Sequence, residues 1–561
     1  MSKIDPSRIR GIECRFAICV KNKETDDDVH VVKEQIHLDD GTIVPYLRKI
    51  LNYKRPYYIT KKGFRNHEDK KEWEEIERLN RYESTQTRLV RSMATSMEMP
   101  WFRGSQRDLQ KSPYIYGADI SSTSLLKQSY LDKYGLNTAY TFAGYDTETD
   151  VVHYDTKNHI LMASISHKTN VYTYVQKRFV AGYTNVEERL RALAAEHLGD
   201  LIKRRNLTLH YVFCDTEIEV VQKSIGKAHE IKPDFLGIWN MVFDIRRIQE
   251  ACARANVKLE DLFSDPSIPA SYRYYEFIEG KANRITNANK RMNFKPVHRW
   301  NTVIAPASFY IIDQMCGYYQ CRQGSPEEPS YGLDALVRKN TKASKLEFEP
   351  AKKYQGLAKH QFMQKYHPLE YIIYNQGDVV IMEELDDVTK DMAIQLPLFA
   401  GCTDFEKFPS QPKRTIDALH HFVLKRGHVM ATTSKEMADE FDDETLGIDG
   451  WIVMLPSHMV ADNGLKCVLE NQNLRTNIRI FVFDLDVSGS YPNGQCVFNM
   501  CKQTTSKEPI RIEGISEDLQ RMQTINLSAG RTNAVEIVTL ICGAPTLEQI
   551  VQAYDKMIAT M

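Results

Sequence analysis

The 561-residue chain has no apolar run near the roughly 18 residues that a membrane helix needs. Its first residues, MSKIDPSRIRG, lack the apolar core of a secretory signal. Glycine (27) and proline (21) are too few for a collagen-like or wholly disordered chain. No segment repeats at a period of roughly 20–50 residues, which excludes a solenoid or propeller. No CxxC occurs among the eleven cysteines. Three pairs sit five apart (Cys14/Cys19, Cys316/Cys321 and Cys496/Cys501), but none has a His or Cys cluster beside it in sequence. The expectation is therefore reduced, mostly buried thiols in a cytoplasmic protein. The sixteen histidines form no H-E-x-x-H, so a zinc enzyme is not expected. With 73 Lys+Arg against 74 Asp+Glu the chain has no uniform basic coat, yet a basic groove balanced by acidic faces remains open to it.

At about 150 residues per domain, the length suggests roughly three to four domains. Residues 48–65, RKILNYKRPYYITKKGFR, interleave basic and aromatic side chains, which suits either a nucleic-acid grip or a strand with a solvated face. Residues 69–85, DKKEWEEIERLNRYEST, have the spacing of a charged helix with a narrow apolar stripe. From 138 to 260 the pattern changes. TAYTFAGYD, VVHY, HILMASISH and VYTYVQ read as strands, then helices alternate with the strands LTLHYVF and DFLGIWN. A run of strands followed by alternation implies a mixed sheet covered by helices, an α/β (α+β) architecture. Helical spacing covers 367–396 and 414–427, a strand is expected at 479–486, and a last helix closes the chain.

Three constellations carry chemistry. In GYDTETD (144–150), Asp146 and Glu148 lie two apart at a strand end, so both carboxylates face one way and could hold a hard divalent cation. In GIWNMVFDIRRI (237–248), a strand runs into Asn240, and Phe243-Asp244 opens the next helix; an Asp there could also be a plain N-cap. In YIIYNQGDVVIMEEL (371–385), Tyr374 and Asp378 share a helix face. The surrounding Ile and Val residues predict burial, where an unpaired Asp is costly and a cation would compensate.

In this order and on these elements, the three resemble the proofreading site of family B DNA polymerases, a DEDD exonuclease with a tyrosine whose motifs read D-x-E, N-x(2–3)-[FY]-D and Y-x-x-x-D. The resemblance implies a ribonuclease H-like exonuclease fold. It also implies two Mg²⁺ (or Mn²⁺) ions held by Asp146, Glu148, Asp244 and Asp378, with Tyr374 orienting the attacking water. Asn240 and Phe243 would contact DNA. SPYIYGADI (112–120), SYGLDALV (330–337) and RTIDALHHFVLKRG (414–427) look like connecting segments of the phage T4-like branch. FDLDVSGSYPN (483–493) resembles polymerase motif A, which makes Asp486 a metal ligand and Tyr491 the residue under the incoming sugar; Asp484 competes with Asp486 because both share one strand face. Gly489-Ser490 departs from the family's Ser-Leu. The basic segment 281–299 falls where the family carries a hairpin that helps separate primer from template, and equally suits a surface loop. DDETLGIDG (442–450) lacks EF-hand spacing and reads as a turn.

Motif C (D-T-D) and the lysine-bearing motif B do not occur in this sequence. The resemblance thus implies an N-terminal domain (1–137), an exonuclease domain (138–390), and a connector with the first part of a palm (391–561). The expectation is the N-terminal portion of a split or truncated polymerase. It would hydrolyse 3′→5′ alone but add nucleotides only with a second polypeptide carrying motifs B and C. The implied partners are primer-template DNA, a single-stranded 3′ end, dNTP once the palm is complete, and in the family a sliding clamp; a membrane is not among them. A phage protein acting in the bacterial cytoplasm is the expected setting. The competing readings are a stand-alone DEDD nuclease, which has no use for a sugar-packing tyrosine, and a non-catalytic nucleic-acid-binding or scaffold protein, in which the buried carboxylates would be uncompensated.

Overall fold

The computed structural model describes residues 5–432 except 69 and 286–290, together with the strands Cys467–Asn471 and Thr476–Arg479. The chain divides into two compact units, residues 1–433 and 434–561. The described part of the second is an antiparallel pair formed by those two strands. Motif A, with Asp484, Asp486 and Tyr491, lies outside the described residues, as do Cys496, Cys501, 442–450 and the expected last helix.

The first unit opens with a three-stranded antiparallel sheet: β1 (Ile9–Lys21), β2 (Asp28–Leu38) and β3 (Ile43–Leu51). A second small sheet joins β4 (Arg55–Thr60), β5 (Leu79–Ser84) and β6 (Ile115–Tyr116). The helix expected over 69–85 is absent. Trp73–Glu75 is a short strand, Ile76–Arg78 a single 3₁₀ turn, and β5 pairs with β4. Helical spacing there reflected Trp73, Ile76 and Leu79, but only Leu79 is buried, while Trp73 and Ile76 are exposed; sheet pairing outweighed local preference. In the basic-aromatic segment, Arg55, Tyr57 and Tyr58 are buried, so these three side chains build the interior and offer no stacking surface.

The main sheet has six strands in the order β10-β9-β8-β7-β11-β12, with β7 (Phe142–Thr149), β8 (Ile160–His167), β9 (Asn170–Gln176), β10 (Thr208–Cys214), β11 (Phe235–Ile238) and β12 (Tyr310–Asp313). Pairings β7–β8 and β8–β9 are antiparallel; β9–β10, β7–β11 and β11–β12 are parallel. The mixed α/β architecture expected from the sequence is therefore present. VVHY (151–154) is not a strand: Asp150 accepts the Val152 and His153 amides, both at 3.0 Å, and folds the segment into a turn.

Helices cover both faces. On one, α1 (Glu217–Ile231) and α2 (Val242–Arg254) pack Val220, Val221, Ile225, Ile245 and Ile248 against Ala143 and Tyr145 of β7. On the other lies α3 (Pro368–Thr389), which starts on a proline that needs no amide partner and is buried on nearly all sides. Burial on most sides is what the apolar runs IIY and VVIM require, while Asn375, Gln376 and Asp378 are polar groups buried with them.

The contact between β7 and α3 is close. A Cβ on Gly144 would stand 2.5 Å from the Val379 carbonyl oxygen. Gly144→Ala is expected to destabilise the fold by about 1–3 kcal/mol and lower Tm, whereas Gly63→Ala, with open space around it, stays within about 0.5 kcal/mol. Equal Tm values for the two variants in thermal unfolding would contradict this packing.

Candidate metal centre

Strand alternation sorts the side chains of β7. Tyr145 and Thr147 point toward α1 and α2: the Tyr145 hydroxyl lies 3.1 Å from Ser224 Oγ, and Thr147 bonds Asp244. Asp146 and Glu148 point the other way, as Gly144 does, toward α3. On α3, residues 371, 374, 375 and 378 fall on one helical face. That face brings Asp378 to the strand end, where carboxylate oxygens of Asp146, Glu148 and Asp378 all lie within 4.8 Å of one another.

Each carboxylate is held. Asn375 Nδ2 donates to Asp146 Oδ2 at 2.7 Å. The Tyr371 hydroxyl donates to Glu148 Oε2 and lies 2.7 Å from His360 Nδ1, which must then donate to it. Lys345 Nζ donates to Asp378 Oδ2 at 2.6 Å and lies 3.4 Å from the Tyr374 hydroxyl. The other oxygen of Asp378 is buried with no partner. An orphaned acceptor in an all-oxygen, anionic cluster fits a hard cation such as Mg²⁺ or Mn²⁺, whose ligands are carboxylates and water.

The fourth predicted carboxylate, Asp244, is buried in the first turn of α2. Its Oδ1 accepts from the Thr147 amide at 3.1 Å and the Thr147 hydroxyl at 2.6 Å. It stands outside the three-way group, close enough that its charge raises the Asp146 pKa. Asn240 and Phe243 join none of these bonds. Asn240 is exposed in the left-handed region (φ 59°), in a turn fixed by Asp313, which accepts the Met241 amide at 3.1 Å. Phe243 is 45% exposed, with the Arg247 guanidinium 5.4 Å from its ring centre.

Electrostatics set the protonation. Burial, then the charges of Asp244, Glu148 and Asp378, push the Asp146 pKa well above the carboxylate range. Burial raises Glu148 to about 8 and Asp244 to about 7, the latter against the Thr147 hydrogen bonds. Asp378 is also raised by burial, with the Lys345 ammonium opposing.

Sequence reasoning missed Tyr371, Asn375, Lys345 and His360. The first two were accessible, since they share the helical face of Tyr374 and Asp378. Lys345 and His360 come from segments with no motif, and only the tertiary fold places them.

Because these raised carboxyls keep protons in the folded, metal-free chain that the unfolded chain releases, their contribution to stability is full below the ordinary carboxylate range. It falls as pH rises through about 7 and 8. A cation such as Mg²⁺ would bind only the deprotonated ligands, so its stabilisation should be larger near pH 8 than near pH 5. Thermal unfolding in EDTA and in Mg²⁺ across this range measures both effects, and a Tm indifferent to Mg²⁺ at high pH would contradict them. Tyr371→Phe frees the Glu148 carboxylate and is expected to weaken Mn²⁺ affinity by about 10–100-fold in calorimetric titration; unchanged affinity would remove Tyr371 from the site.

No protein-family model matches this chain, and no curated protein matches it significantly.

Proposed function

We propose that the chain is a two-metal 3′→5′ exonuclease of ribonuclease H-like fold, forming the N-terminal part of a family B DNA polymerase. The observation that carries this reading is the meeting of Asp146, Glu148 and Asp378 within 4.8 Å, from two elements more than 200 residues apart in sequence. An antiparallel meander continued by parallel strands, with Asp146 and Glu148 on an interior strand, supports the fold assignment.

In this reading Asp146, Glu148, Asp378 and Asp244 hold the two cations; Asp244 lies outside the three-way group but near enough for its charge to act on Asp146. Bound Mg²⁺ or Mn²⁺ would supply an activated water and neutralise the departing 3′ oxygen. Tyr374 orients the water through its hydroxyl, and Tyr371 fixes Glu148. The water oxygen bonds to phosphorus as the P–O3′ bond breaks, releasing a nucleoside 5′-monophosphate and a shortened strand ending in 3′-OH. Phe243, exposed beside Arg247, and Asn240 are the DNA contacts at the rim. The antiparallel pair Asn283–Ile285 and Arg291–Asn293, within the basic segment, supports a strand-separating role there. Motif A would serve nucleotide addition together with motifs B and C, which do not occur in this sequence.

The purified chain with Mg²⁺ is expected to shorten 3′-labelled single-stranded DNA and to extend no primer by itself. Asp146→Ala with Glu148→Ala should slow the shortening on the order of a thousandfold. No degradation by the wild-type chain, or degradation that survives the double substitution, would overturn the nuclease reading.

A further inference from the structure

A second cluster lies in the N-terminal sheet, away from the carboxylate centre. Cys19 on β1 and His30 on β2 are direct cross-strand partners in the antiparallel register. Asp28 is two residues before His30, so strand alternation puts it on the same face. Cys19 Sγ, a ring nitrogen of His30 and a carboxylate oxygen of Asp28 all lie within 4.8 Å of one another. Asp28 and His30 are both fully buried.

Two of these groups lack partners. Asp28 Oδ1 and His30 Nδ1 are buried with no hydrogen bond, 3.9 Å apart. An orphaned acceptor facing an orphaned ring nitrogen leaves both desolvated without compensation. Their other atoms are engaged. His30 Nε2 is 2.8 Å from Ser122 Oγ, at the start of the helix Ser122–Tyr134. Asp28 Oδ2 accepts from the Thr87 amide at 3.0 Å and its hydroxyl at 3.2 Å. The His30 ring also packs edge-on against Tyr53, with centroids 5.1 Å apart. Outer hydrogen bonds that orient a histidine and a carboxylate while leaving the inner atoms free are the arrangement that metal ligands require.

We propose that Cys19, Asp28 and His30 form a Zn²⁺ site. One sulfur, one imidazole nitrogen and one carboxylate oxygen suit zinc, whereas the all-oxygen cluster at Asp146 suits magnesium. Three protein ligands leave a fourth tetrahedral position for water, and of the three Cys19 alone is partly exposed. On binding, the Cys19 S–H bond breaks, its proton passes to solvent, and the thiolate sulfur bonds the ion; no electron transfer is involved. The ion ties β1 to β2, and through Thr87 and Ser122 to the two segments packed on them. The cysteine spacing concealed this site, because the partner of Cys19 stands across a hairpin, eleven residues away.

The test uses the full chain, stripped of metal and titrated with Co²⁺ as a spectroscopic probe. A thiolate-to-cobalt charge-transfer band saturating at one equivalent is expected. Zn²⁺ should abolish it and Mg²⁺ should not, and it should be lost in Cys19→Ser but retained in Cys321→Ser. No band, or one undiminished in Cys19→Ser, overturns the proposal. X-ray absorption on the wild-type chain with one equivalent of Zn²⁺ needs no variant. One sulfur at about 2.3 Å with nitrogen and oxygen neighbours supports the site, and a shell without sulfur overturns it.

Discussion

Three carboxylates that cannot all stay charged together unaided are the constraint on which the main domain turns. At separations up to 4.8 Å, each ionised pair repels by at least about 3 kcal/mol even at an effective dielectric near 20. Lys345 pairs directly with Asp378 alone among the three, and its charge only opposes the stronger effect of burial on Asp146 and Glu148. Two resolutions exist: protons, at the cost of a strongly pH-dependent fold, or divalent cations. The unpartnered oxygen of Asp378 and the absence of nitrogen or sulfur from the three-way group favour the second.

Keeping the cluster together falls to ordinary packing. β7 and α3 approach so closely at Gly144 that no larger residue fits, and this sets the depth at which Asp378 meets the strand end. Buried Ile372, Ile373, Val379 and Val380 anchor the helix, while Tyr371, Tyr374, Asn375 and Asp378 on its remaining face receive the strand's carboxylates. The apolar helix and the polar site are thus one element. Its buried sides provide rigidity, and its polar face carries Asp378 and the groups that hold Asp146 and Glu148.

Much of this was legible in the sequence. The D-x-E triplet lay on a strand, and period-two geometry placed both acids on one side. Tyr374 and Asp378 followed from helical spacing, as did the burial of their helix. Other features depended on distance in the fold. Lys345 and His360 lie in segments without a periodic signal, and Tyr371 was overlooked although its spacing from Tyr374 placed it on the site. The stretch 69–85 read as a helix because its apolar residues recur every three positions, yet pairing of Leu79–Ser84 with β4 decided otherwise. Cys19 and His30 meet only across a strand register that no local pattern encodes.

Anomalous diffraction from crystals of the chain soaked in Mn²⁺ tests the central claim most directly. The account predicts a manganese peak bonded by oxygens of Asp146, Glu148 and Asp378, with Asp244 within reach of a second. A map with no peak there, with Lys345 still closing on Asp378 and the remaining carboxylates protonated, would contradict it.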